Sequence, residues 1–146
     1  MRLWRLARRP FVAIDGEGAR LYGGRWNQPG LAVVYCAINL SLAVLEVLVH
    51  LDVELREFPS DYVKIPIEIP RSVKLDRIDR LPKDLADTIE IGSRWFQAAK
   101  TVGLLVPSIV VPEERNLLLN PSHRDFPRLQ VRDARPFRFD PRLSRP

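Results

Sequence analysis

Residues 22–50 read YGGRWNQPGLAVVYCAINLSLAVLEVLVH, and three polar residues in this stretch stand in surroundings that make them costly to fold around. Arg25 follows Gly23-Gly24, whose backbone reaches angles closed to other residues. Tyr35 lies in a short apolar run bounded by turns, Leu31 to Cys36, which reads as a buried strand. Glu46 interrupts a run from Leu42 to Leu51 that is apolar nearly all round and so predicts a central, buried helix. Asn39 or Ser41 is placed to cap it. The segment Leu31 to Leu51 approaches the length of a membrane span. Asn39, Ser41, Glu46 and His50 are each expensive in lipid, however. Its β-branched first half and leucine-rich second half read instead as strand, cap and helix, with no membrane association.

The remaining chain closes around this stretch. At 146 residues, with 46% hydrophobic, a single domain over residues 1–146 with one core is expected. Arg2 to Leu6 alternates and suits a first strand; Arg8 to Arg20, with Pro10, Gly16 and Gly18, reads as a loop. Tyr62 to Ile69 (YVKIPIEI) alternates and reads as an edge strand, because Pro66 cannot donate to a ladder. Val73 to Ile78 is a further short strand. Ile91 to Val102 has Trp95, Phe96, Ala99 and Val102 at helical spacing, and Leu104 to Val111 is a buried strand interrupted by Pro107. Asn116 to Leu119 is apolar, and Leu129–Val131 and Phe137–Phe139 are candidate final strands. There is no repeat, low-complexity tract or evident linker. Strands outnumber helices and are interrupted by them, so the expected class is α+β, with mixed and antiparallel strands around a central buried helix.

Net charge is +5, and 19 of the 23 basic residues are arginine. Arginine favours bidentate contacts to phosphate and carboxylate, although a coding bias gives the same composition. The tail is basic through Arg124, Arg128, Arg132, Arg135, Arg138, Arg142 and Arg145. The single cysteine, Cys36, excludes an internal disulfide and reads as an inert buried thiol, in keeping with the cytoplasm. The basic N-terminus has no apolar run after it and is no secretory signal.

Several residues are candidates for chemistry. Arg25, set by glycines, can bring a guanidinium to a phosphate, or can simply pack on Trp26. Glu46 in an apolar helix marks a site, or forms a structural pair with a cation, Arg25 being the obvious one. His50, four residues on, can orient Glu46 or share a metal with it; no further ligand cluster supports a metal, so none is expected. Ser108 is not in a G-x-S-x-G elbow and reads as a hydrogen-bonding hydroxyl in a pocket. Asn116, Asn120 and His123 fit turn and cap roles. Tyr35 is either plain core or a site residue.

Four segments together carry a resemblance: GGRWN, VVYCAINLSLAVLEVLVHL, VPSIVVPEERNLLLNPSHRDF and FRFDPRL. Their order and spacing resemble the RES domain family nearly end to end. The family's naming Arg, Glu and Ser match Arg25, Glu46 and Ser108. Two features depart from its pattern: Leu85 stands where a tryptophan often follows an LP element, and the helix from Ile91 lacks small, polar character.

The resemblance implies a fold similar to the ADP-ribosyltransferase core of diphtheria-like toxins. It implies a bacterial toxin that depletes NAD by cleaving the nicotinamide–ribose bond, through hydrolysis or phosphorolysis. NAD would be the substrate, with no cofactor. The implied partner is an Xre-type helix-turn-helix antitoxin, with DNA reached only through it; a homodimer is left open. Cleavage of this bond passes through an oxocarbenium-like state. Glu46 would stabilise that charge and Arg25 would hold the pyrophosphate. Tyr35 would meet the nicotinamide end and Ser108 the ribose or amide, with His50 and Asn116 in support. Two other readings stand beside this one: ADP-ribosylation of a protein target, and a non-catalytic basic binding module.

Overall fold

The computed structural model describes residues 1–51 and 58–144. The expected loop over Asp52–Asp61 therefore lies partly outside the described residues. Eight strands form one sheet: β1 (Arg2–Arg8), β2 (Val34–Ala37), β3 (Tyr62–Glu68), β4 (Leu75–Arg77), β5 (Gly103–Pro107), β6 (Arg115–Leu119), β7 (Gln130–Val131) and β8 (Arg135–Pro136). Three helices accompany it: α1 (Glu17–Tyr22), α2 (Leu40–Leu48) and α3 (Leu85–Ala98). The sheet order is β4-β5-β6-β2-β1-β3-β7, with β8 also paired to β3. Among the described residues, only β4 and β5 run parallel; the other pairs are antiparallel. The chain is one α+β domain, as its pattern predicts.

Side chains alternate across a sheet, and register therefore sorts the core into two faces. Tyr35 stands opposite Leu118, and Ala37 opposite Asn116. These four share one face with Leu104 and Val106, which face Leu118 and Asn116 from β5. The opposite face carries Leu3, Val34, Cys36, Ile67, Leu117 and Leu119, packed under Ile69, Val73 and Leu129. On the first face, α2 covers Leu6, Ala37 and Tyr62. Beside it, Trp26 and Trp95 cover Leu104, Val106 and Leu118.

The structure corrects several expectations. Arg8–Arg20 is not all loop, for α1 begins at Glu17. Six residues are too few to show a helical period, and Gly16 and Gly18 disguise them. Gly16, at φ +68, enters the helix where a Cβ would lie 2.3 Å from Ala32 O. The helix α2 is not central. It lies on the sheet, burying Leu42 and Ala43 and leaving Leu45 and Val49 exposed. A helix on one sheet face buries one stripe, whatever its other sides are made of. Asn39 is the cap: its Oδ1 accepts from Leu42 N at 2.7 Å, worth about 1 kcal/mol.

β3 is not an edge, since β1 flanks one side and β7 and β8 the other. Pro66 falls between the two short partners, so its missing N–H breaks no ladder. α3 begins six residues before Ile91, because the polar stretch after Asp84 hides its first turns. It ends at Ala98, with Ala99 in the left-handed region. Phe137–Phe139 is not a strand. Phe139 instead packs on Phe58, Tyr62 and Phe137 with ring centroids 4.8–5.1 Å apart. Among the described residues, no helix is long and apolar enough to cross a membrane.

Candidate active site

Ser108 follows the end of β5 and is fully buried. Its hydroxyl accepts from the backbone N–H groups of Val110 and Val111, at 3.1 and 3.0 Å. Its one proton goes to Glu46 Oε1 at 2.6 Å. A hydroxyl has one donor and two acceptor sites, so nothing is left over. Buried and with its hydrogen-bonding sites engaged, Ser108 bonds Glu46, where the resemblance implies a contact to the ribose or the amide.

A second donor reaches the same oxygen. Asn116 Nδ2, from β6, lies 2.6 Å from Glu46 Oε1. Asn116 is therefore neither turn nor cap but a strand residue aimed at the carboxylate. Asn116 Oδ1 is buried with no partner among the described residues. An orphaned acceptor of this kind costs about 1–3 kcal/mol, which the amide's orientation toward Glu46 requires. Asn120 and His123 do make turns, accepting from Ser122 N and Asp125 N at 3.0 Å each.

Glu46 is half-buried on α2. Two neutral donors converge on Oε1, while Oε2 has no hydrogen bond among the described residues. The Arg25–Glu46 pair weighed from sequence is not formed: no ion pair joins them. Neutral groups at close range take the place expected for a cation. His50 does not share a helical face with Glu46 either. The helix ends at Leu48, and His50 is exposed in the turn after it. Its backbone N–H bonds Val47 O at 3.0 Å, and its ring makes no hydrogen bond to Glu46.

Arg25 is exposed, and its guanidinium has no partner among the described residues. The loop that carries it is nonetheless firmly held. Tyr35 OH donates to Asn27 Oδ1 at 2.6 Å and accepts from Trp26 N at 3.0 Å. Asn27 is buried, and its Nδ2 reaches the carbonyls of Ala19, Gln28 and Leu31 at 2.9–3.2 Å. Gly24 is required beneath this lock, for a Cβ there would stand 2.6 Å from Tyr35 OH. Tyr35 is thus an anchor for the arginine loop, with its hydroxyl engaged on both sides. Burial pushes its phenol up to about 12, the Trp26 N–H partly opposing this.

Register brings the pieces together. Tyr35 and Asn116 lie on adjacent strands, one step apart on the same sheet face. Tyr35 holds the Arg25 loop on that face, and Asn116 holds Glu46. The Arg25 loop, Glu46 and Ser108 therefore belong to one side of the sheet. An exposed guanidinium and a carboxylate on the same side of the sheet suit a ligand bearing both an anion and a centre of developing positive charge. Sequence reasoning missed the polar anchors: Asn27, buried within this loop, and Thr88 and Ser93, buried against it on α3. An unexplained glycine inside a helical pattern, Gly92, was the available signal.

Comparison with known proteins places the chain among relatives of known kind. The RES domain family matches residues 2–140. A protein named Toxin Res from Photorhabdus laumondii is 45% identical over 135 residues, covering 86% of this chain and 85% of its own. The Prs ADP-ribosylating toxin of a Sphingobium species is 39% identical over 156 residues, covering 97% and 96%. A chain from the crystal structure of the M. tuberculosis MbcT–MbcA toxin–antitoxin complex superposes with a TM-score of 0.77. At 20% identity it covers 98% of this chain and 86% of that one, a likeness of fold.

Proposed function

The chain belongs to the RES domain family, and from that premise we propose that it is the toxin of a toxin–antitoxin pair and consumes NAD by breaking the nicotinamide–ribose bond. The observation that carries this reading is the state of Glu46: two donors fix Oε1, and Oε2 has no partner among the described residues. In bond cleavage the nicotinamide nitrogen takes the electron pair of the C–N bond and leaves neutral. Positive charge grows on the ribose as it does so. Glu46 Oε2 meets that charge or a ribose hydroxyl. Because the leaving group carried the charge beforehand, no strong general acid is needed. Water then supplies the new pair to the ribose carbon and releases a proton to solvent, or an anionic oxygen of phosphate supplies the pair with no proton to lose. Arg25 binds the pyrophosphate. Tyr35 serves through the loop it anchors, and Ser108 and Asn116 through Glu46. NAD is the substrate, and no cofactor is assigned.

A second reading replaces water or phosphate by a protein side chain as acceptor. The name of the Sphingobium relative, an ADP-ribosylating toxin, favours it. Both readings share the bond that breaks and the residues assigned above.

The partner in this proposal is an antitoxin of the Xre helix-turn-helix type, which brings DNA to the complex, and the site of action is the cytoplasm. Leu45 and Val49 beside Glu46, and Ile109 beside Ser108, leave apolar side chains exposed around the site. Such surface suits a protein that covers it.

The test is nicotinamide release from NAD by the purified chain, with and without phosphate, alongside labelled NAD offered to candidate acceptor proteins. The Glu46→Gln variant keeps an acceptor for Ser108 and Asn116, so it should fold normally and release no nicotinamide. Turnover at the parent rate by that variant rules the mechanism out.

A further inference from the structure

The peptide unit joining Arg25 to Trp26 is gripped at both polar ends from opposite sides. Its N–H, on Trp26, donates to Tyr35 OH at 3.0 Å from β2. Its C=O, on Arg25, accepts from Thr88 Oγ1 at 2.7 Å from α3. Thr88 is 1% exposed, so no water competes for this contact. Its single proton is shared with Leu85 O, also at 2.7 Å. A bond to the carbonyl three residues back is ordinary for a helical threonine. An equally close acceptor on another element is not accounted for by the helix.

Two neighbours on α3 complete the seat. Ser93 Oγ accepts from Gln28 N at 3.2 Å. Gly92 lies against the loop so closely that a Cβ would stand 1.8 Å from Trp26 O. The helix therefore carries small and polar residues where it meets the loop, contrary to the expectation that it lacks them. The arginine itself has no side-chain partner among the described residues. The peptide that follows it is the part of the loop held from both sides.

We propose that Thr88 is a positioning residue for Arg25: by holding the Arg25 carbonyl against the pull of Tyr35 on the Trp26 N–H, it fixes the plane from which the guanidinium reaches the pyrophosphate of NAD. Gly92 permits the approach that the Thr88 contact needs. The inference rests on the NAD reading of the site. It adds a helix outside the Glu46 cluster to the substrate-binding machinery.

The experiment compares Thr88→Val, which keeps shape and loses the hydroxyl, with Thr88→Ser, which keeps the hydroxyl. Thr88→Val should raise KM for NAD roughly tenfold while kcat changes less than about threefold, as loss of one charge-assisted contact to phosphate would do. Thr88→Ser should return KM to within about twofold of the parent. In an Arg25→Ala background the Thr88→Val effect on KM should vanish, because the contact acts through Arg25. Hydrogen exchange at the Trp26 amide reads the grip without catalysis, and should quicken in Thr88→Val but not in Thr88→Ser. An unchanged KM in Thr88→Val, or a KM effect that persists without Arg25, overturns the proposal. If the parent releases no nicotinamide, the NAD reading fails instead; Trp26 exchange then decides the grip by itself, and unchanged exchange overturns it.

Discussion

Ser108 Oγ lies 2.6 Å from Glu46 Oε1, across a separation of 62 residues. Two backbone N–H groups occupy the hydroxyl's acceptor sites, so its proton has no other destination. The carboxylate is thereby tied down through Oε1, and Oε2 has no hydrogen bond among the described residues. A flexible side chain becomes a fixed group before any ligand arrives, which is the arrangement electrostatic catalysis requires.

Ser108→Ala should lower kcat for nicotinamide release by about ten- to a hundredfold, as loss of a charge-assisted hydrogen bond of about 1.5–3 kcal/mol would do. It also leaves the Val110 and Val111 N–H groups unpaired, so the unfolding midpoint in urea should fall. Steady-state kinetics and denaturation on the same sample separate the two losses. A kcat equal to the parent's means that Ser108 does not position Glu46.

Arg25→Ala should act on binding alone. The guanidinium has no partner among the described residues, so stability should stay within about 0.5 kcal/mol of the parent. KM for NAD should rise at least about tenfold, because bonds from arginine to phosphate are charge-assisted. Calorimetric titration with NAD checks this. Unaltered affinity would falsify the assignment of Arg25 to the pyrophosphate.

Gly16→Ala should destabilise the fold by more than about 2 kcal/mol. The position sits at φ +68, and the added Cβ would meet Ala32 O at 2.3 Å. Gly18→Ala is the control, since nothing lies within 4 Å of its Cβ position. Urea melts of the pair should differ strongly; similar midpoints would mean that the entry to α1 is looser than described.

Alkaline stability follows from two buried groups. Burial pushes Tyr35 from 10.0 up to about 12, the Trp26 N–H partly opposing this. Burial also pushes Cys36 from 9.0 up to about 12, with Arg5 opposing. Between these limits the unfolded chain binds fewer protons than the folded one, so stability falls as pH rises. The contribution should be complete below about pH 9 and fade toward pH 12. Denaturation midpoints from roughly pH 8 to 11 should decline, and Cys36→Ala with Tyr35→Phe should flatten the decline. The tyrosine change should also cost about 1–3 kcal/mol at neutral pH, since Trp26 N–H and Asn27 Oδ1 lose their partner.

Asn39→Ala should reduce stability by about 1 kcal/mol. The side chain caps α2 through Leu42 N and also donates to Glu114 Oε2 at 2.8 Å. Asn39→Asp should restore the cap but bring two carboxylates together, giving an intermediate melting temperature. A variant as stable as the parent would show that α2 is held by packing alone.

Local chemistry was legible in the residues themselves. Alternation marked β1 and β3, the Asn39 cap preceded an apolar run, and an arginine after two glycines together with a glutamate among leucines stood out because each is costly without a purpose. Those costs are properties of a residue and its immediate neighbours, and so they survive in one dimension. What the tertiary structure decided was pairing. It gave Glu46 two neutral donors from β6 and the end of β5 in place of Arg25, and it aimed the Ser108 proton at Glu46. It left His50 beyond the end of α2 and gave the Arg25 loop anchors on β2 and α3. It also laid a largely apolar helix on a sheet face with one side exposed. Each of these depends on which strands are adjacent and in what register. A shift of one residue sends every side chain of a strand to the opposite face. That register is fixed only when the whole sheet forms.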